Sequence, residues 1–336
     1  MADTLEKVTD STEAVAVDTW DGSGVRVTDV TAALAELRHR SREGGSPRTA
    51  VMTFVAVARD EQDAITAGTA LRALGRHHPS RNLILRPEPD AVASLDAKAS
   101  LFTFEEAGHE INFEELTLHI GGQAAKHLDS FAEAFTISDL PVVIWYVGTL
   151  PDPADPLLSV ATALLVDSRD AAGSGRLRSL LDLSRQQNVV DLSWARLRPY
   201  RAMLAGLFAE PGRHDLLRSV KAVEVRGKAG PRHVLAGWIA AQLKLSTGIV
   251  RIIDDRHVSI AVSCTDGDAD ALFEVGRVPG TRTLEASAAL AGGAPPPRRL
   301  ALAEDPLAAA LADVLVHLEP DPIWQRALAS AVLLDD

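Results

Sequence analysis

Short apolar runs too brief for helices, separated by segments with helical periodicity, restrict this chain to a layered α/β fold. Residues 49–58 (TAVMTFVAVA) form a strand by length and β-branched content. Residues 139–147 (DLPVVIWYV) carry an unbroken apolar run, the pattern of a strand buried on both faces, and residues 159–166 (SVATALLV) repeat it. Asp60-Glu61 open a helix whose inner face is Ala64, Ala67, Gly68, Leu71 and Leu74, side chains small enough for close approach to a sheet. Pro79 ends that helix, and residues 82–86 supply the second strand of a βαβ unit.

At 336 residues and 35.8 kDa the chain exceeds the usual size of one core. The expectation is α/β: two domains, each a mixed β-sheet flanked by helices. Residues 1–24 read as an acidic N-terminal tail, 25–150 as an N-terminal α/β domain and 157–336 as a C-terminal α/β domain, with GTLPDPADP (148–156) as linker. The first domain adds a helix over 30–42 with Leu34 and Leu37 inward, an antiparallel hairpin of 100–105 with 111–120, and a helix from Gly121 to Phe135. The second is expected to hold helices over 173–186, 194–208 and 231–245 and a strand over 220–226. An antiparallel meander of 249–253, 258–264 and 271–275 follows, then two short Ala/Leu-rich helices.

A net charge of -12 argues against non-specific nucleic-acid binding, which rests on Lys and Arg neutralising phosphates. The single cysteine, Cys264, has no internal disulfide partner and, lying in an expected strand, reads as a buried small hydrophobe. Without a basic-then-apolar leader or a long apolar run, the expectation is a soluble, cytoplasmic protein.

No phosphate loop, dinucleotide fingerprint, metalloprotease helix or nucleophile elbow is present. His109, His119 and His127 match no tight metal spacing, so no metal and no cofactor is expected. In HHPSR, His77, His78, Ser80 and Arg81 stand at a helix–strand junction where hydroxyl and guanidinium can converge on an anion. The plainer reading is a proline turn with solvated side chains. In VDSRDAAGSGR (166–176), Asp167 and Ser168 end a buried strand, where α/β sheets bind ligands, and Ser174 can open the next helix. Alternatively, Asp167 and Ser168 satisfy local backbone groups while Ser174 caps. DLSWARLRPYR (191–201) places Trp194, Leu197 and Leu204 on one stripe, with Arg196, Arg198 and Arg201 on neighbouring faces. That composition suits an interface hot spot, and equally a core helix with snorkelling arginines. In GWIAAQLKL (237–245), Trp238 and Ile239 are expected to face the core.

HHPSR, DLPVVIWY, LLVDS (164–168), DLSWARLRPYR and GWIAAQLKL occur in the order and at intervals that resemble the OpcA family, glucose-6-phosphate dehydrogenase assembly proteins of actinobacteria and cyanobacteria. The resemblance spans roughly residues 48–250. This chain departs from the family pattern at Trp145-Tyr146, where two tryptophans are usual, at Tyr200, where Trp is usual, and at Thr162-Ala163, where Asp-Arg is common.

The resemblance implies a protein without catalytic residues that binds glucose-6-phosphate dehydrogenase, promotes its active oligomer and feeds the oxidative pentose phosphate pathway and its NADPH. Trp145, Tyr146, Trp194, Arg198 and Arg201 are then the expected partner-binding residues, and His78, Ser80, Arg81, Asp167 and Ser168 a candidate anion site. Side chains alternate along a strand, so Trp145 and Tyr146 are expected on opposite faces, one anchoring the sheet and the other lining a crevice or partner surface. The competing expectation is a sugar-phosphate enzyme of the same pathway using His78, Ser80, Arg81 and Asp167; a third is a regulator that senses a nucleotide or sugar phosphate.

Overall fold

The computed structural model describes residues 14–43, 50–75, 78–106, 109–171 and 175–335; His77 and Ser174 lie outside them. The chain divides into two compact units. The first holds the described residues up to Val147 together with Ala154–Thr162, and the second holds Gly148–Pro153 and everything from Ala163 onward. Each is built on β-sheet flanked by helices. No helix among the described residues is long and apolar enough to cross a membrane.

The first unit runs β1 (Val15–Gly22), α1 (Val27–Glu43), β2 (Met52–Val57), α2 (Glu61–Leu74), β3 (Ser80–Glu88), β4 (Leu95–Glu106), β5 (His109–Gly121), α3 (Leu128–Phe135) and β6 (Val142–Tyr146). Its strands lie in the order β1-β4-β5-β3-β2-β6. β2, α2 and β3 form the expected βαβ unit with parallel strands, and β6 runs parallel to β2. Asp60 caps α2 by accepting the Asp63 N–H at 2.8 Å, and Ala64, Ala67, Gly68, Leu71 and Leu74 are buried as their spacing requires. β4 and β5 form the expected antiparallel hairpin. β1 corrects the sequence reading, since most of the acidic lead-in from Val15 onward is a strand paired antiparallel to β4. Most of its side chains are exposed, so ladder hydrogen bonds hold it at the sheet edge and no burial pattern announced it.

The second unit begins with β7 (Ala163–Val166), α4 (Arg176–Gln186), β8 (Val189–Asp191), α5 (Leu192–Arg196) and α6 (Arg198–Phe208). Then follow β9 (Val220–Gly227), α7 (Pro231–Leu243), β10 (Val250–Asp254), β11 (Ser259–Asp266), β12 (Ala269–Arg277), β13 (Thr283–Ala289), β14 (Arg298–Ala301), α8 (Pro306–Val316) and α9 (Pro322–Asp335). β7 and β8 pair in parallel, and the other six strands form a sheet ordered β10-β9-β11-β12-β13-β14.

Three sequence expectations change here. The strand expected over 159–166 is shortened, because Pro156 starts a 3-10 turn, Pro156–Val160, in the first unit. The helix expected over 194–208 is two helices that meet at Leu197, where Pro199 in the first turn of α6 resets the ladder. β10 is not the start of an antiparallel meander: α7 carries the chain back across the sheet, so β10 pairs parallel to β9.

The second unit's core is the face of that sheet covered by α6 and α7, where the Phe208 and Phe273 rings lie 4.1 Å apart. Cys264 is fully buried in β11, and burial pushes its thiol up to about 11, the behaviour of a packing residue. α7 packs tightly on α9 because Gly237 has no side chain: a Cβ there would stand 2.2 Å from the Ala327 carbonyl oxygen. Gly237→Ala is a discriminating test. Helix propensity alone favours alanine by about 1 kcal/mol, whereas overpacking against α9 costs about 1–3 kcal/mol. Net destabilisation in denaturant unfolding is expected; a stabilised variant contradicts this packing.

Candidate functional site

The segment 191–201 folds as it does because of two helix-capping aspartates, one fully buried and one half-buried, in a repeated Asp-x-x-Trp spacing. Asp191 caps α5: its Oδ1 accepts the Ser193 N–H and the Ser168 N–H, both at 2.9 Å. Its Oδ2 accepts the indole N–H of Trp324 at 3.1 Å. Asp321 does the same for α9, its Oδ1 accepting the N–H groups of Ile323 at 2.8 Å and Trp324 at 3.1 Å. Its Oδ2 accepts the indole N–H of Trp194 at 2.7 Å. Each aspartate therefore caps its own helix and holds the tryptophan that starts the other, locking α5 to α9.

Asp167, at the end of β7, adds a second layer. Its Oδ1 accepts the Ser193 hydroxyl and the Arg169 N–H. Its Oδ2 takes Arg196 at 2.7 Å and Arg169 at 2.9 Å. Gly230, with φ +80°, permits the approach of α7 to this corner: a Cβ there would meet the Ser168 carbonyl oxygen at 1.8 Å. The carboxyls of Asp167 and Asp191 diverge in character. Complete burial, with the Asp167 charge second, pushes Asp191 up to about 6 from an ordinary 3.8. Burial also works against charge on Asp167, but Arg196 and Arg169, with the Ser193 hydroxyl, outweigh it and hold that carboxyl below its usual value.

Outside this network the segment lines two clefts. One, of about 450 Å³, is lined by Trp194, Arg198, Arg201, Asp313, His317 and Asp321 among others. The Arg201 guanidinium stacks 3.3 Å from the Trp194 ring centroid and donates to the Trp194 carbonyl at 3.1 Å. Burial lowers Arg201 to about 10, which leaves it charged at neutral pH. The other cleft, of about 620 Å³, is lined by five arginines, Arg169, Arg196, Arg198, Arg256 and Arg277, with Asp313 as its one lining carboxylate. Ala195, Arg198 and Asp313 border both, and Arg198 pairs with Asp313.

The sequence-derived residues are distributed unevenly. Trp194, Arg198 and Arg201 come together, with Arg198 exposed and Trp194 only 6% exposed. Trp145 and Tyr146, in the first unit, are 3% and 4% exposed, so neither presents a ring to a crevice or partner. Trp145 packs edge-on to Phe54, with centroids 6.3 Å apart, and the Tyr146 hydroxyl donates to Asp155 at 2.7 Å. At the expected HHPSR site, the hydroxyl of Ser80 is buried and donates to Asn82 at 2.7 Å. Arg81 is held by Glu114 at 3.0 Å and the Phe135 carbonyl at 3.1 Å, while the His78 N–H donates to the Leu74 carbonyl at 2.9 Å. Those groups are occupied internally. Asp167 and Ser168 lie at the strand end as read, but the groups facing the cleft are the arginines that Asp167 positions. Thr162 accepts the Val142 N–H at 3.0 Å, Ala163 is buried, and Tyr200 lines the arginine cleft. Sequence reading missed Arg169, Arg256, Arg277 and the Asp321/Trp324 pair; only the second Asp-x-x-Trp spacing, DPIW, was a signal, and it lies in a proline-rich turn.

Two family models match the chain. One, described as the glucose-6-phosphate dehydrogenase subunit N-terminal domain, matches residues 71–183. The other, described as the C-terminal domain of the same subunit, matches residues 187–328 and contains the Trp194 cleft and every lining residue of the arginine cleft except Arg169. A curated protein of Synechocystis sp., the putative OxPP cycle protein OpcA, is 23% identical over 181 residues, which make up 50% of this chain and 38% of that protein. The chain thus spans well under half the length of that relative.

Trp324→Phe keeps the ring and removes the donor to Asp191. A raised Asp191 pKa costs the fold stability as pH climbs from about 4 to about 6, and the cost persists above. Without the indole N–H that favours the charged carboxylate, the loss is expected to be small near pH 4 and to grow to about 1–3 kcal/mol above pH 6. Denaturant unfolding across that range checks it; a pH-independent loss contradicts the assigned hydrogen bond.

Proposed function

The chain belongs to the glucose-6-phosphate dehydrogenase subunit family described by these two models, and from that premise we propose that it is a non-catalytic assembly factor and activator of glucose-6-phosphate dehydrogenase. Its role lies in the oxidative pentose phosphate pathway, where it acts in the cytoplasm by stabilising the active oligomer of the enzyme and so raising NADPH output. The family match over 255 residues, 113 in the N-terminal model and 142 in the C-terminal one, is the observation that carries this reading.

The site chemistry supports binding over turnover. The carboxylates of the second unit's network cap helices and hold arginines, and the Ser193 hydroxyl is tied to Asp167 with no histidine or lysine among the described residues of that network to act as its base. Binding energy alone suffices to favour one state of a partner, provided the chain binds that state more tightly. The dehydrogenase docks on the groove of Trp194, Arg198 and Arg201. Exposed Arg198 supplies the charge at its rim, and Arg201, fixed against the buried Trp194 ring, supplies a rigid planar guanidinium. Trp145 and Tyr146 contribute from beneath the surface, by fixing β6.

Titrating the chain into its cognate dehydrogenase, with rate and particle size followed together, tests this. A saturable rise in rate with formation of a joint species is expected. Arg198→Glu, an exposed substitution, should raise the half-maximal concentration about tenfold. Absence of both co-migration and any kinetic effect contradicts the proposal.

A further inference from the structure

The arginine cleft of the second unit shares Ala195, Arg198 and Asp313 with the docking groove, but its chemistry is different. In a chain of net charge -12 it gathers five guanidiniums against one lining carboxylate. Two of the five are held side by side at the wall by a single oxygen, Asp167 Oδ2, which accepts Arg196 and Arg169 at 2.7 and 2.9 Å. Two others, Arg256 and Arg277, are exposed and have no ion-pair partner among the described residues. Arg277 is steered by a single bond from its guanidinium to the Thr281 carbonyl at 2.8 Å.

A second observation points the same way. The cleft is lined by the first residues of three helices: Arg198 and Pro199 of α6, Pro231 of α7 and Pro306 of α8. Each brings the positive end of its helix dipole, and α6 and α7 have no side-chain cap to neutralise it. Arg169 and Arg196 are held by Asp167, Arg198 is paired to Asp313 and α8 is capped by Asp305. Arg256, Arg277 and the N-termini of α6 and α7 then leave the concavity favouring an anion.

The floor restricts the class further. Between the arginines it is apolar, with Leu197, Pro199, Leu302 and Ala309, and the volume of about 620 Å³ is that of a small-molecule site rather than a flat docking surface. A bare sugar phosphate would leave hydroxyls against that floor. A planar, weakly polar ring rests on it and stacks on guanidinium faces, while phosphates take the fork donors. We infer that this cleft is a binding site for a nucleotide carrying two or more phosphates, bound with its phosphates on the arginines and its base on the apolar floor. This goes beyond the dehydrogenase reading and does not depend on it.

The test uses the full chain without dehydrogenase. Calorimetry with ADP, pyrophosphate, adenosine and glucose 6-phosphate should rank ADP first, with affinity falling as ionic strength rises. The paired substitution Arg256→Gln and Arg277→Gln, both at exposed positions, should weaken ADP about tenfold or more with an unchanged melting temperature. Arg218→Gln, exposed and outside the cleft, should leave ADP binding unaltered. No saturable ADP binding, equal weakening by the Arg218 variant, or tighter binding of glucose 6-phosphate than of ADP overturns the inference. So does displacement of ADP by a short glutamate peptide of comparable or higher affinity, which would make the cleft a seat for an acidic protein segment.

Discussion

Two aspartates, each capping one helix while accepting the indole N–H of the other helix's tryptophan, fix the geometry on which the second unit's surface depends. Asp191 with Trp324 and Asp321 with Trp194 form a closed exchange, so α5 and α9 cannot shift relative to one another without breaking hydrogen bonds at both. Buried polar groups are costly unless satisfied, and here both oxygens of both carboxylates are. The tryptophan–arginine stack then has a fixed base, and Asp167 presents Arg196 and Arg169 to the neighbouring cleft. Of the carboxylates in this network, Asp167, read from the sequence as part of a candidate anion site, is the one that holds arginines.

The Asp139–Val147 stretch, with its unusual Trp-Tyr pair, has a similar explanation in the first unit. Its aromatics face opposite sides of β6, as strand alternation demands, yet both sides are covered. Trp145 meets Phe54 from β2, and Tyr146 reaches Asp155, whose other oxygen caps the 3-10 turn at Pro156 by accepting the Leu157 N–H at 2.9 Å. The pair is an anchor on both faces rather than an anchor and a contact. Tyrosine at this position keeps the bulk of the family's second tryptophan and adds a hydroxyl that Asp155 satisfies.

What was legible in the sequence was whatever carries a local period. The α2 face, the βαβ unit, the β4–β5 hairpin and the Leu177/Leu180/Leu181/Ser184 face of α4 follow from spacing alone. β1 was hidden because an edge strand with exposed side chains needs only backbone partners. β8 was hidden because three residues are too few to show a pattern, and β14 because it is exposed throughout. The parallel pairing of β10 was implicit in the helix that precedes it. The arginine cleft had no sequence signal at all: its guanidiniums come from positions 169 to 277, and only the folded second unit brings them together. Family resemblance singled out the segment 191–201 without revealing that it borders two clefts of unlike chemistry.

We propose that this acidic protein, which concentrates arginines beside α5 and α6, binds its partner there. The most direct test of that claim is amide hydrogen exchange on the full chain, with and without its cognate glucose-6-phosphate dehydrogenase. The account predicts added protection across residues 192–201 and the α8 residues facing Arg198, where Asp313 stands. Protection confined to other segments, with exchange at 192–201 unchanged at saturating dehydrogenase, would contradict it.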